Sequence, residues 1–340
     1  MKNLNPLSLS SLAILSAFCS HTVAQQREKQ PMASATNPMQ QRNEIRAGNW
    51  NLVTPTLGGR QFWTDQFVHR EWRIQQHVHT KHCRLLDPKN RRRAWGSFNA
   101  CRMKFESLKK PERIQPLEGK AVVLMHGLGR TRQSMSRLAK QFADRGYVPI
   151  NMEYASTRAS IADHAAALNR IIGQLKGIDE IYFVGHSMGN IVFRYYLQQF
   201  SDPGTGIQGD ARIQASVMIA PPNQGAYMAR VLKPTGLFSL VTGQSGRELA
   251  SDWSEFSRQL ATPDHPFGII AGKFNGNPLF RVDNDTTVSV EETRLAGAGD
   301  FKIFDSMHAT IMSQPEVIAS VDKFFSRGYF VAEGDRTPIR

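Results

Sequence analysis

Cysteine is scarce in this chain: Cys19, Cys83 and Cys101 are the only three among 340 residues, which leaves room for one disulfide at most. Acid is short as well, with 29 Asp and Glu against 42 Lys and Arg, a net charge of +13. No internal repeat occurs, and the one leading apolar stretch, Leu7 to Phe18, is too short and serine-rich to span a bilayer permanently. No nucleic-acid motif accompanies the basic residues, so nucleic acid is not expected as a partner. His77, His79 and His82 gather beside Cys83, yet no second cluster completes a closed metal site. Neither a metal nor another cofactor is expected.

The first residues read as a secretory signal. Lys2 supplies the positive start, Leu7 to Phe18 the apolar region, and Thr22-Val23-Ala24 the cleavage site, with cut after Ala24. Cys19 does not turn this into a lipoprotein signal, because Phe18 stands where lipid attachment wants a small residue. Export to the periplasm or medium removes Cys19, and the remaining even pair, Cys83 and Cys101, is expected to form a disulfide.

Residues 25–48 hold hardly any aromatic or β-branched residue and should form a flexible leader. Residues 49–118 carry four of the five tryptophans, so something folds there. Trp72, Ile74 and Val78 alternate as in a strand, while Phe98, Cys101, Phe105 and Leu108 line one helix face that stops before Pro111. This is too little for an independent core and reads as an N-terminal extension packed on the main domain. It is strongly basic: residues 26–118 hold 18 Lys and Arg against 8 Asp and Glu, and residues from 119 onward 23 against 21. Arg91-Arg92-Arg93 concentrates the excess. A solvated face is the plainer reading, and weak contact with an anionic envelope surface the alternative. A monomer is expected.

From residue 119 onward, strands are expected near 121–126, 147–152, 181–185, 213–220, 267–272 and 300–304, with helices near 134–145, 159–175, 188–200 and 314–327. Strands alternating with helices imply an α/β fold with a mostly parallel sheet covered on both faces. Gly185-His186-Ser187-Met188-Gly189 lies between the apolar run Ile181 to Val184 and a helical pattern. That context is a nucleophile elbow, a turn so tight that the serine is held up at the sheet edge. A lone serine is a poor nucleophile and needs a base oriented by an acid. His308, on a loop after the strand-like Phe301 to Phe304, is the candidate base. His265, between two prolines, is the weaker one. Asp283 and Asp285 compete for the acid.

These segments resemble a bacterial serine esterase or lipase of the α/β-hydrolase superfamily over about residues 120–327. The carriers are His126-Gly127-Leu128-Gly129, the Gly-His-Ser-Met-Gly elbow, Asp285 and His308, in the family's order, and Ala220-Pro221-Pro222-Asn223-Gln224-Gly225, which is similar to a turn of lipase-like members. The resemblance implies the α/β-hydrolase fold, ester hydrolysis through Ser187, His308 and Asp285, and a small-molecule or lipid ester substrate. By the family's spacing to Val288, Asp285 is preferred over Asp283, although many members have Asp-Gly where this chain has Asp285-Thr286. The amides of Leu128 and Met188 are the implied oxyanion donors. His126, Gly127 and Tyr227 are expected at the substrate, His126 more by shaping the loop than by chemistry. The segment 224–262 is expected to form a cap, and residues 328–340 a tail. An acyltransferase with the same triad, or an envelope-binding module acting through the basic extension, are the alternatives.

Overall fold

The computed structural model describes residues 54–55, 60–225, 253–274 and 283–340. The expected signal and leader, Tyr227 and most of the expected cap lie outside the described residues.

The chain order begins with five strands: β1 (Thr54–Pro55), β2 (Trp63–His69), β3 (Trp72–His77), β4 (Cys83–Leu86) and β5 (Arg91–Gly96). They pair antiparallel in the order β1-β5-β4-β3-β2. Helix α1 (Phe98–Leu108) follows, started by the Ser97 hydroxyl, which accepts from the Ala100 amide. It lays Cys101, Phe105 and Leu108 on Phe67, Ile74, Leu85 and Ala94. The extension is therefore a layered α+β unit with its own apolar cluster, more than the single strand and helix expected.

Its other sheet face is polar and buried. Asp65 is fully enclosed and accepts from Arg73 at 2.6 Å and from the Gln75 amide at 2.9 Å. Arg84 in turn donates to Gln75 Oε1. Burial pushes the Asp65 pKa up, and the Arg73 charge pulls against it. A buried charge is tolerable only when paired in this way.

The three arginines expected as one patch diverge. Arg91 and Arg93 bind Asp87, Arg93 also reaches Glu112, and Arg92 lies over the Trp95 ring. The expected Cys83–Cys101 disulfide is absent. Both are buried free thiols in the cluster under α1, where apolar packing serves them as it serves other small hydrophobes.

Six strands then form a wholly parallel sheet: β6 (Gly119–Met125), β7 (Val148–Met152), β8 (Ile178–His186), β9 (Ile213–Ile219), β10 (Phe267–Lys273) and β11 (Asp300–Asp305). Their order is β11-β10-β9-β8-β6-β7. The helices of this part among the described residues are α2 (Ser136–Asp144), α3 (Ile161–Ile172), α4 (Met188–Gln199), α5 (Trp253–Ser257) and α6 (Pro315–Arg327). Ala121, Val123 and Met125 of β6 pack with α3 and α4, while Val122 and Leu124 pack with α2 and α6. Both faces of the sheet are thus dry, which is why its strands read as unbroken apolar runs. The carboxyl ends of β6, β8, β10 and β11 carry the loops that meet in the site.

Candidate active site

β8 ends in His186, and α4 begins at Met188, so Ser187 alone makes the turn between strand and helix. It does so at φ 51°, ψ −123°, a strained conformation for a residue with a side chain. The flanking glycines follow from close packing. A Cβ on Gly185 would stand 2.2 Å from Asn190 Oδ1, and one on Gly189 2.7 Å from the Met125 carbonyl oxygen. The turn is pinned from below: the Ser187 amide donates to the Ile219 carbonyl at 2.9 Å, and Asn190 Nδ2 donates to the carbonyls of Ser187 and Ile219.

His308, in the loop after β11, places Nε2 2.9 Å from Ser187 Oγ and Nδ1 2.7 Å from Asp285 Oδ2. The His308 amide also donates to the Asp285 carbonyl at 2.6 Å. Asp285 is fully buried, and its second oxygen, Oδ1, accepts from the amides of Thr287 and Val288 at 3.0 and 2.7 Å. Asp283 turns away to Lys273 at 2.9 Å with its side chain 59% exposed. Gly272 at the end of β10 lets these loops converge, since a Cβ there would lie 2.7 Å from the Asp285 Cβ. His265, the weaker candidate base, bonds instead to Ser216 Oγ at 3.0 Å. The linear array of serine, imidazole and buried carboxylate can move a proton off Ser187 while compensating the imidazolium charge.

The loop after β6 borders the serine. A Cβ on Gly127 would stand 3.0 Å from His186 Nδ1 and 3.1 Å from the Ser187 Cβ, tighter than an ordinary contact, so a side chain there would press on both. Met188 opens α4, and its N–H has no intrahelical acceptor. Among the described residues the Leu128 N–H, one residue past Gly127, has no acceptor either.

His126 has the loop-shaping hydrogen bond expected of it. It is fully buried, stacks on Tyr154 at 4.1 Å and donates from Nδ1 to the Gly127 carbonyl at 2.9 Å. Its ring is enclosed, with Glu153 3.5 Å from Nε2. Tyr227, expected to line that space, lies outside the described residues.

Sequence reasoning passed over three supporting residues. His186 donates from Nε2 to the His308 carbonyl. Tyr154 donates its hydroxyl to the His126 carbonyl. Arg194 on α4, buried with no carboxylate partner among the described residues, donates to the carbonyls of Leu260 and Ala261 and to Asn223 Oδ1. It thereby ties both ends of the 224–262 insertion, and burial lowers its pKa to about 10. A cation in an otherwise apolar helix face was the signal available for it.

The family model of the alpha/beta hydrolase fold matches residues 120–290, just over half of the chain. No curated protein matches the sequence. Among solved structures, a gene product of Listeria innocua aligns at 18% identity and TM-score 0.43, over 65% of this chain and 98% of its own. A metagenome-derived lipolytic enzyme, from work on LipS and LipT, aligns at 16% identity and TM-score 0.45, over 63% and 96%. An esterase from Thermogutta terrifontis aligns at 14% identity and TM-score 0.40, over 63% and 92%. These likenesses concern the fold alone. With the parallel sheet and the matched segment together, the chain belongs to the α/β-hydrolase fold family.

Proposed function

We propose that the protein is a serine hydrolase that cleaves carboxylic esters through an acyl-enzyme. The observation that carries this reading is the unbroken chain from Ser187 Oγ through His308 to Asp285 Oδ2, set on a strained turn at the head of α4. In the reaction, Ser187 Oγ attacks the ester carbonyl carbon and its proton passes to His308 Nε2. The carbonyl oxygen takes the electron pair and is held by the Leu128 and Met188 amides, whose charge stabilisation is the largest single catalytic contribution in such sites. Collapse of the intermediate breaks the bond to the alcohol, which leaves with the proton from His308. Water then gives its proton to His308 as it attacks the acyl-enzyme, and the acid departs as Ser187 recovers its proton. Asp285 holds the imidazole in place and offsets the positive charge that forms on it.

A fluorophosphonate probe tests the nucleophile. The wild type should take up one label, mapped to the peptide containing Ser187, and Ser187→Ala should take up none. A panel of p-nitrophenyl esters of graded acyl length should show turnover in the wild type and define the acyl preference. Labelling that persists in Ser187→Ala removes the assignment.

A further inference from the structure

The five strands before the family match have no assigned part in the reaction, yet one side chain from them reaches the oxyanion loop. Gln61 lies in the single turn Arg60–Phe62 that leads into β2. Its Nε2 donates to the Arg130 carbonyl at 2.6 Å. Its Oε1 accepts three times, from Ser156 Oγ at 3.1 Å, the Thr157 amide at 3.2 Å and Thr157 Oγ1 at 3.0 Å. Ser156 Oγ in turn accepts from the Gly129 amide at 3.0 Å. One carboxamide thus joins the loop after β6 to the loop after β7.

The rest of the sheet makes that joint rigid. The Asp65 amide donates to the Glu153 carbonyl at 2.9 Å, and Asp65 Oδ2 accepts from the Glu153 amide at 2.7 Å. One step on, Thr64 Oγ1 accepts from the Ala155 amide at 3.1 Å. Residues 61–65 therefore run beside 153–157 as a hydrogen-bonded seam, fastened by the buried Arg73 and Gln75 on Asp65. On the near side of Leu128, Tyr154 from the same seam holds the His126 carbonyl. On the far side, Ser156 holds Gly129 and Gln61 holds Arg130. Both flanks of Leu128 are tied, while its own N–H is kept unpaired within the described residues. Donors fixed before the reaction, and not reoriented during it, are what gives an oxyanion site its effect.

We infer that Gln61 is a positioning residue for the Leu128 amide, and that the N-terminal sheet is thereby part of the catalytic unit. The inference rests on the serine-hydrolase reading above. The partners of Gln61 are Arg130, Ser156 and Thr157, and it acts through the loop. Replacing it should let the loop shift, and a misplacement of about 1 Å costs up to about 100-fold in rate.

The test compares wild type, Gln61→Leu and Gln61→Glu on p-nitrophenyl butyrate, with active sites counted by fluorophosphonate uptake. For Gln61→Leu, kcat per titrated site should fall about 10- to 100-fold while KM stays within about twofold, the mark of an interaction made in the transition state. Gln61→Glu keeps the acceptor for Ser156 and Thr157 and loses the donor to Arg130, so it should fall between the two. Should Gln61→Leu not fold, Gln61→Glu carries the same test. A glutamine that merely glues the sheet on would lower Tm and the number of active sites, and leave kcat per titrated site unchanged. That result overturns the inference alone. A wild type that takes up no label overturns the serine reading, and the inference with it.

Discussion

His186 donates from its imidazole Nε2 to the main-chain carbonyl of His308 at 3.0 Å, and so holds the residue that holds Ser187. Because a carbonyl only accepts, Nε2 carries the hydrogen and Nδ1 is bare, facing the space a Cβ on Gly127 would need. Burial, followed by the charge on His308, keeps the His186 pKa well below its ordinary 6.5. The donor is thereby held toward its neutral form. His186→Phe keeps the ring volume and removes the hydrogen bond. It should lower kcat per titrated site about 10-fold with little change in KM, by loosening the loop that aims His308. Steady-state kinetics after active-site titration checks this, and an unchanged kcat would mean that the His308 amide bond to Asp285 suffices.

Asp285 and Asp283 separate by the same kind of measurement. Asp285→Asn should cost roughly 10⁴-fold in kcat, by analogy with loss of the orienting acid in serine proteases. Asp283→Asn gives up only an exposed ion pair with Lys273, of the kind worth about 0–1 kcal/mol, and should leave kcat unchanged. A reversed ranking would reassign the acid.

The parallel sheet was legible because both its faces are dry. The expected strands at 121–126, 147–152 and 267–272 lie within about two residues of β6, β7 and β10. Of the N-terminal strands only β3 was legible, through Trp72 and Ile74. The others were hidden because one of the two buried sheet faces carries Asp65, Arg73, Gln75 and Arg84, which look like a solvated surface until one sees that they satisfy each other across strands. Pairing at that range has no periodic trace in sequence. Gln61 is more hidden still, since its partners Ser156 and Thr157 lie 95 and 96 residues away. The disulfide expectation placed Cys83 and Cys101 in one cluster, where they are, yet apolar packing alone accounts for two thiols there.

Thr286, where many family members resemble one another in having glycine, stands at φ +87°. A β-branched residue is strained there, whereas glycine adopts that region freely. Thr286→Gly should therefore stabilise the protein by about 1 kcal/mol, the relieved strain exceeding the added entropy of the unfolded chain. That corresponds to a rise in Tm of roughly 2–4 °C. Calorimetry checks it, and a lower Tm would show that the Thr286 side chain is worth more to the loop than the strain costs.

Cys83 and Cys101 should behave as inert thiols in the folded protein. Burial pushes their pKa values up to about 11 and about 12, and the thiolate is the reactive form. Iodoacetamide at pH 8 should modify neither in the native state and both after unfolding without reductant. Two cysteines that resist alkylation even when unfolded would mean a disulfide.

Acid should destabilise the fold through its buried histidines. Burial holds His164 down to about 3 and His265 to about 4, and His186 well below 6.5. In the unfolded chain each titrates near 6.5. Between those values the unfolded state binds more protons than the folded one, so unfolding free energy rises with pH and is lost as pH falls below about 6.5. Each such site contributes up to about 1.4 kcal/mol per pH unit across its window. Asp65 slopes the other way, because its raised pKa lets the folded state hold a proton that the unfolded chain releases above 3.8. The comparison is therefore best made with a single-site variant. His164 packs edge-on against Tyr154 at 4.7 Å, a geometry that phenylalanine can keep while giving up the titrating nitrogen and the hydrogen bond to the Ala159 backbone. The wild-type Tm should fall between pH 7 and pH 5, and His164→Phe should show a shallower fall over the same interval. Parallel slopes would mean that His164 takes up its proton without unfolding.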